Sequence, residues 1–256
     1  MTTDKSEPSS SGRGWTRAEL IELIASVVGL GLVVRVFAVF AAGVEARPGA
    51  LLRDPVLASL TPRDMTWAIF AVIYVSVAVG IASLARAPAA LVAAIRAYAL
   101  MVLLRMLAMS VTPLEAPLGT IPLRDPFLQS LWAGKTLTRD LFFSGHTATL
   151  CILTFTARRP ALRGFFIAAA LVVGASVLLQ AVHYTVDVLA APVFSYAAYR
   201  VAWATSRHGL APGRDLERPR AEHLPHRLGR APCEARRAPP GRSSPRRSEC
   251  GRRDPS

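Results

Sequence analysis

Residues 140–150 read Asp-Leu-Phe-Phe-Ser-Gly-His-Thr-Ala-Thr-Leu, and residues 183–187 read His-Tyr-Thr-Val-Asp. The sequence between them, 151–182, is mostly apolar. Polar and ionisable side chains are costly in an apolar segment unless they are paired or serve a function. The two histidines and the aspartate therefore indicate a chemical site at the ends of hydrophobic segments.

The surrounding chain has the composition of a membrane protein. Its 256 residues are 52% hydrophobic, and the mean hydropathy is +0.35. A helix needs about 20 apolar residues to cross the hydrocarbon layer. Six segments are candidates, and they are 20–44, 66–84, 89–110, 143–157, 162–181 and 184–204. We predict an all-α, polytopic membrane protein with a six-transmembrane-helix bundle, in which the short fourth segment spans only if the Ser-Gly-His turn lies at membrane depth.

Much of the net charge of +13 lies near the C-terminus. Residues 206–256 carry 13 Arg against 6 Asp plus Glu, and such a composition cannot build a core. We predict a disordered, Arg/Pro-rich cytoplasmic tail at 206–256, a disordered cytoplasmic N-terminus at 1–17 and a membrane catalytic domain at 18–205. The tail is expected at the membrane surface, and no nucleic-acid partner is expected. Neither a disulfide framework nor metal-ligand spacing is offered by Cys151, Cys233 and Cys250.

Arginines near the segment ends predict the orientation. The second and fourth connections carry arginines without acidic residues, whereas the first and third balance basic against acidic side chains. By the positive-inside rule, both termini are cytoplasmic. His146, His183 and Asp187 then share the outer end of the bundle, and Arg35 and Arg105 lie in its outer third. The Ala-, Arg- and Pro-rich composition and compact connections favour a bacterial plasma (inner) membrane.

The histidines suit phosphoryl transfer. His183 and Asp187 are four residues apart, which in a helix places them on one face. The Asp can accept the ring N–H of the His, fix its tautomer and leave the other ring nitrogen as a nucleophile or base. His146 is then the second proton carrier, which protonates the departing oxygen.

The residues around His146 suit an anionic substrate. Ser144 and Gly145 precede a helix, and a helix N-terminus offers free N–H groups to a phosphate. Arg105 and Arg35 are candidates to neutralise the phosphate oxygens. Asp140 is either a helix N-cap or a partner of His146.

Both motifs resemble the signature motifs of the sphingomyelin synthase family, within the type-2 phosphatidic acid phosphatase superfamily. Two weaker matches stand in the same order, at 51–55 (Leu-Leu-Arg-Asp-Pro) and at 105–117. The resemblance implies a six-helix bundle with an outward-facing site and a phosphohistidine intermediate. It also implies His183 as nucleophile, Asp187 as its orienting partner, His146 as acid/base and Asp140 as a partner of His146.

The resemblance also implies an enzyme of lipid metabolism that needs no metal or other cofactor. Such enzymes transfer a phospho-headgroup between membrane lipids or hydrolyse lipid phosphates. The chain departs from the wider superfamily because Leu178 and Leu179 stand where an arginine is usual before the second histidine motif. The groups that clamp the phosphate therefore stay open.

Two other interpretations fit the same residues. A transporter or channel would use intramembrane His and Asp side chains to bind ions or protons. A metal site could be built from His146, His183 and Asp187, but a fourth ligand is missing.

Overall fold

The computed structural model describes residues 15–125, 138–139 and 141–205. Within these ranges the chain forms seven α-helices and no strand. The helices are α1 (Arg17–Glu45), α2 (Pro55–Ala58), α3 (Thr66–Leu84), α4 (Pro88–Val111), α5 (Gly145–Thr156), α6 (Pro160–Leu179) and α7 (Thr185–Ala204). The predicted tail at 206–256 and most of the predicted N-terminal segment lie outside the described residues, so both remain predictions.

Local sequence signals set the starts of the helices. At α1, the Thr16 side chain accepts from the Glu19 N–H and the Glu19 carboxylate accepts from the Thr16 N–H, which forms a capping box. Proline opens α2, α4 and α6, where its fixed φ suits the first turn and its missing N–H costs no hydrogen bond. The breaks in the apolar sequence therefore coincide with the ends of the helices.

Several helices have the length and apolarity of membrane spans. Four meet both conditions, and they are α1, α3, α4 and α6. The chain is accordingly a multi-pass membrane protein in its described part. α5 has only 12 residues, and α7 is long enough but less apolar because it includes Asp187 and Arg200. The count of six spans remains a prediction.

The bundle is built around α4, α5 and α7. α4 packs on α7 and α5, α5 packs also on α6 and α7, α3 lies against α6 and α5, and α1 lies against α4. The contact region of α4, α5 and α7 contains buried alanines, including Ala97, Ala148, Ala191 and Ala198. Small side chains let helix backbones approach closely, which is how helices pack in a bilayer that provides no hydrophobic drive between them.

The connections before α3, after α4 and before α7 meet at one end of the bundle. Ala50 and Leu114 form a parallel bridge, and a Cβ on the neighbouring Gly49 would overlap the Leu114 backbone. The Arg63 N–H donates to the Leu179 carbonyl at 2.9 Å. Because α5 and α7 also begin at this end, both histidine motifs lie under these connections.

Candidate active site

His183 and Asp187 form a buried pair at the start of α7. The His183 Nδ1 lies 3.2 Å from the Asp187 Oδ2, and the side chains are 3% and 0% exposed. The Tyr184 N–H donates to the same carboxylate oxygen at 3.1 Å. His183 precedes the first helical residue, Thr185, so the pair closes the entrance of α7 and does not sit across a complete turn. A protonated Nδ1 that donates to Asp187 leaves Nε2 as the basic nitrogen.

His146 approaches this pair from α5. Its ring centroid lies 6.3 Å from that of His183 and 5.9 Å from that of Phe70 on α3. Its Nδ1 is buried, and so is the Oδ1 of Asp187; neither atom has a hydrogen-bond partner within the described part of the chain. Buried polar atoms without partners are rare and mark sites where water or a ligand binds. The two rings are placed to act on one small group between them.

Ser144 joins the two motifs. Its N–H donates to the Asp187 carbonyl at 3.0 Å, while its buried side chain accepts from the Thr147 N–H at 3.4 Å and so caps α5. This backbone bond couples the start of α5 to the start of α7. The distance between the two histidines is therefore set by the main chain.

Phe142 and Phe143 carry the chain into Ser144 with positive φ angles of 74° and 40°. Bulky residues rarely adopt this region, and such strain persists only where the surroundings impose it. Here the Phe143 ring stacks on Phe194 of α7 at 4.7 Å, and the Phe142 ring packs edge-on to Phe194 at 5.9 Å. The two contacts tie the turn before His146 to α7.

Arg105 is a cation beside the start of α5. It is 5% exposed on α4, and a Cβ on Gly145 would overlap its guanidinium. The same guanidinium lies 6.0 Å from the centroid of the Phe37 ring. Gly145 therefore gives Arg105 access to the N-terminus of α5, beside His146.

Arg35 and Asp140 are also predicted to belong to the site. Arg35 is exposed on α1, which lies against α4, and the structure does not bring it to the histidines. Asp140 lies outside the described residues. Within those residues, no cluster of three His, Cys, Asp or Glu side chains is suited to hold a metal ion.

Comparison with known families points to the same region. Residues 139–204 match the family model described as PAP2 superfamily C-terminal. No curated protein matches the chain. The matched segment contains His146, His183 and Asp187, and it supports the type-2 phosphatase superfamily named from the motifs. The narrower likeness to the sphingomyelin synthases stays a prediction.

Two side chains hold the start of α7, Asp54 from outside the segment that matches the PAP2 superfamily and Tyr184 from within it. Asp54 accepts from the Thr185 N–H at 2.6 Å and from its hydroxyl at 3.0 Å. The buried Tyr184 hydroxyl accepts from the Leu52 N–H at 3.2 Å and donates to the Glu115 carbonyl at 3.0 Å. Sequence reasoning noted Asp54 only within a weak motif, although Asp-Pro is a common start of a helix.

Arg139 and Glu115 form an ion pair over the same end of the bundle. The Arg139 guanidinium donates to the Glu115 carboxylate at 2.6 and 2.9 Å and to the Glu45 carbonyl at the end of α1 at 2.8 Å. The hydrogen bonds from Arg139 lower the pKa of Glu115 below its usual value. Arg139 thus helps to fix the connection that leads to the first histidine motif, a role that the charge balance of the third connection does not predict.

Proposed function

We propose that this protein is an integral-membrane lipid phosphatase or phosphotransferase. Its substrates are the phospho-headgroups of phospholipids or sphingolipids, and the reaction runs through a phosphohistidine intermediate. The match to the PAP2 superfamily supports the enzyme class. The single observation that carries the proposal is the His146–His183 arrangement, with Asp187 at the Nδ1 of His183.

In the first step, His183 attacks the phosphorus atom of the lipid phosphoester. The Nε2 lone pair forms the N–P bond while the bond from phosphorus to the lipid oxygen breaks. His146 in its protonated form donates a proton to that oxygen, so the alcohol leaves neutral. Asp187 accepts from Nδ1–H and stabilises the positive charge that develops on the His183 ring.

In the second step, water or an alcohol releases the phosphoryl group. His146, now neutral, takes a proton from the incoming hydroxyl, whose oxygen attacks phosphorus as the N–P bond breaks. Water yields a hydrolase, and a lipid alcohol yields a transferase. The buried Nδ1 of His146 calls for a partner, and Asp140 remains our candidate for it.

The negative charge on the phosphate is stabilised from one side of the site. Arg105 supplies a cation, and the N-terminus of α5 from Gly145 onward supplies backbone N–H groups. Ser144 remains a candidate through its hydroxyl, because its N–H already donates to the Asp187 carbonyl. Arg35 remains a candidate for a further contact along α1.

In the bilayer, we propose six spans, with α5 and α7 crossing beside the four more apolar helices. The site then faces the outer surface, and both termini are cytoplasmic, as the arginine distribution predicts. The expected location is a bacterial plasma membrane.

The test is turnover of a panel of labelled phospholipids, with and without ceramide or diacylglycerol, by the purified protein. His183→Asn and His146→Asn should each abolish turnover, and Asp187→Asn should lower kcat by about 10⁴-fold, as when the orienting carboxylate of a histidine base is lost. Gly164→Ala, at an exposed position on α6 with open space around it, is the matched control. Turnover that survives in His183→Asn contradicts the proposal.

The products of the same assay identify the reaction. Free phosphate or a freed phospho-headgroup indicates hydrolysis, and a new labelled lipid indicates transfer to the added alcohol.

A further inference from the structure

Asp54 lies in the connection between α1 and α3, outside the segment that matches the PAP2 superfamily, yet its carboxylate is hydrogen-bonded to the first residue of α7. One oxygen accepts from the Thr185 N–H at 2.6 Å, and the other accepts from the Thr185 hydroxyl at 3.0 Å. Burial opposes ionisation of Asp54, but these bonds, together with those from Leu57 and Val56, outweigh it and lower its pKa. The carboxylate is therefore charged where it meets the helix.

Thr185 is the first residue of α7, and Asp187 is the third. Two N–H groups at the start of α7 therefore have carboxylate acceptors. The Tyr184 N–H donates to Asp187 of the same turn, and the Thr185 N–H donates to Asp54 from another part of the chain. The Asp187 oxygen that accepts from Tyr184 also contacts the His183 Nδ1. Any tilt of this turn is passed directly to the imidazole of His183.

We infer that Asp54 is a positioning residue, which fixes the first turn of α7 and thereby holds Asp187 and His183 in the reactive arrangement. The inference deepens the proposed function and rests on it where catalysis is concerned. Asp54 does not touch either histidine ring through any contact we observe in the described residues, so it acts through Thr185. A misplacement of about 1 Å at a reacting group is enough to lower a rate about 100-fold.

A second side chain, Tyr184, also holds the start of α7. The orientation of the turn can therefore change in an Asp54 variant without loss of the fold. The Tyr184 hydroxyl is bonded to Leu52 and Glu115, and neither bond involves Asp54. Loss of the Asp54 bonds is therefore expected to loosen the turn without releasing α7 from the bundle.

Asp54 also caps α2, because it accepts from the N–H groups of Val56 and Leu57 at 3.0 and 3.2 Å. Two variants separate this role from the contact with α7. Asp54→Asn weakens both, whereas Thr185→Val removes only the hydroxyl that reaches Asp54. Valine has nearly the shape of threonine, and the Asp54 carboxylate and its bonds to the N–H groups of α2 are left in place.

Asp64→Asn is the matched control. Asp64 is an exposed carboxylate in the same connection, and it accepts from the Thr66 N–H at 2.9 Å at the start of α3. It therefore repeats the chemistry of Asp54 at a helix that carries no histidine.

The experiment combines kinetics with the tautomer of His183, read from ¹⁵N shifts of histidine-labelled protein in detergent and assigned by the signal missing in His183→Asn. We expect Asp54→Asn to lower kcat by about 10- to 100-fold with KM nearly unchanged, and Thr185→Val to lower kcat in the same way by a smaller factor. Both should also convert a single Nδ1–H tautomer into a mixture. The losses in the double variant should be less than additive, because both changes act on the same interaction.

Three results would overturn the inference. One is an unchanged tautomer and kcat in both variants, another is a loss in Asp54→Asn with no loss at all in Thr185→Val, and the third is an equal loss in Asp64→Asn. If wild-type protein turns over no lipid phosphoester but the tautomer still shifts in both variants, positioning stands and the proposed function fails.

Discussion

At the scale of single residues, the site depends on where each histidine nitrogen points. One carboxylate oxygen of Asp187 contacts the His183 Nδ1 and accepts from the Tyr184 N–H. These contacts orient the His183 imidazole at the start of α7. Gly145 leaves room for the Arg105 guanidinium, because a Cβ at this position would overlap it. One glycine and one carboxylate therefore decide the positions of Arg105 and of the His183 ring.

Gly145→Ala tests the close approach of Arg105. The added methyl group overlaps the guanidinium, so either Arg105 or the first turn of α5 must move. We expect kcat/KM for a lipid phosphoester to fall at least about 10-fold, as displaced catalytic groups cost. Gly164→Ala, where the methyl group meets open space, should leave kcat/KM unchanged.

The double variant with Arg105→Ala shows whether the effect of Gly145→Ala depends on Arg105. If Arg105 is what the methyl group displaces, Gly145→Ala should cost little more in an Arg105→Ala background. Full additivity of the two losses would show that Gly145 acts in another way.

The residue types of the site follow from the sequence, but their partners do not. Four-residue spacing and apolar flanks predict that His183 and Asp187 meet, because both features are local. Spacing carries no information on which distant groups bond to a turn. The contacts of Asp54 with Thr185 and of Arg139 with Glu115 are therefore seen only in the structure. Arg35 shows a further limit, because the sequence places it within α1 but does not indicate that its side chain is exposed.

At the scale of the elements, the ends of the helices are better defined by sequence than their pairing. Segment 66–84 coincides with α3, and proline marks the starts of α4 and α6. The short helix α2 was not predicted, because four residues show no periodicity. The strained turn at Phe142 and Phe143 was equally hidden, since it is stabilised by stacking on Phe194 of another helix.

Gln180, at the end of α6, is the clearest tie between elements. Its fully buried side chain accepts from the Met65 N–H at 3.0 Å and donates to the Thr66 hydroxyl at 3.0 Å and to the Ile121 carbonyl at 3.1 Å. Gln180→Ala leaves buried backbone groups unsatisfied, and we expect it to destabilise the fold by about 1–3 kcal/mol.

Thermal unfolding in detergent checks this prediction. Ser110→Ala, which removes an exposed hydroxyl bonded only within its own helix, should barely change the unfolding midpoint. A midpoint for Gln180→Ala that equals that of Ser110→Ala would refute the role of Gln180.

At the scale of the whole molecule, the apolar helices and the histidine site share one organisation. Alternating connections meet at one end, through Ala50 and Leu114 and through Arg63 and Leu179. The balanced charges of the first and third connections predict that this end faces outward. A core of alanines between α4, α5 and α7 gives no support for a polar path through the bundle, as a transporter or channel would need.

Accessibility of single cysteines checks the orientation. In a background with the three natural cysteines replaced by serine, Ser59→Cys lies in the first connection and Ala85→Cys follows α3. Both positions are exposed. A membrane-impermeant maleimide should label Ser59→Cys on intact cells and Ala85→Cys only after lysis, and the reverse pattern would place the site on the cytoplasmic side.

The central claim is a covalent phosphoryl group on His183. The most direct measurement is to mix purified protein with a lipid labelled at phosphorus, quench within the first turnover and map the label on the chain. We predict an acid-labile, alkali-stable label on His183 that is absent in His183→Asn. A protein that turns over the lipid while its label lies elsewhere, or while His183→Asn remains active, would contradict the account.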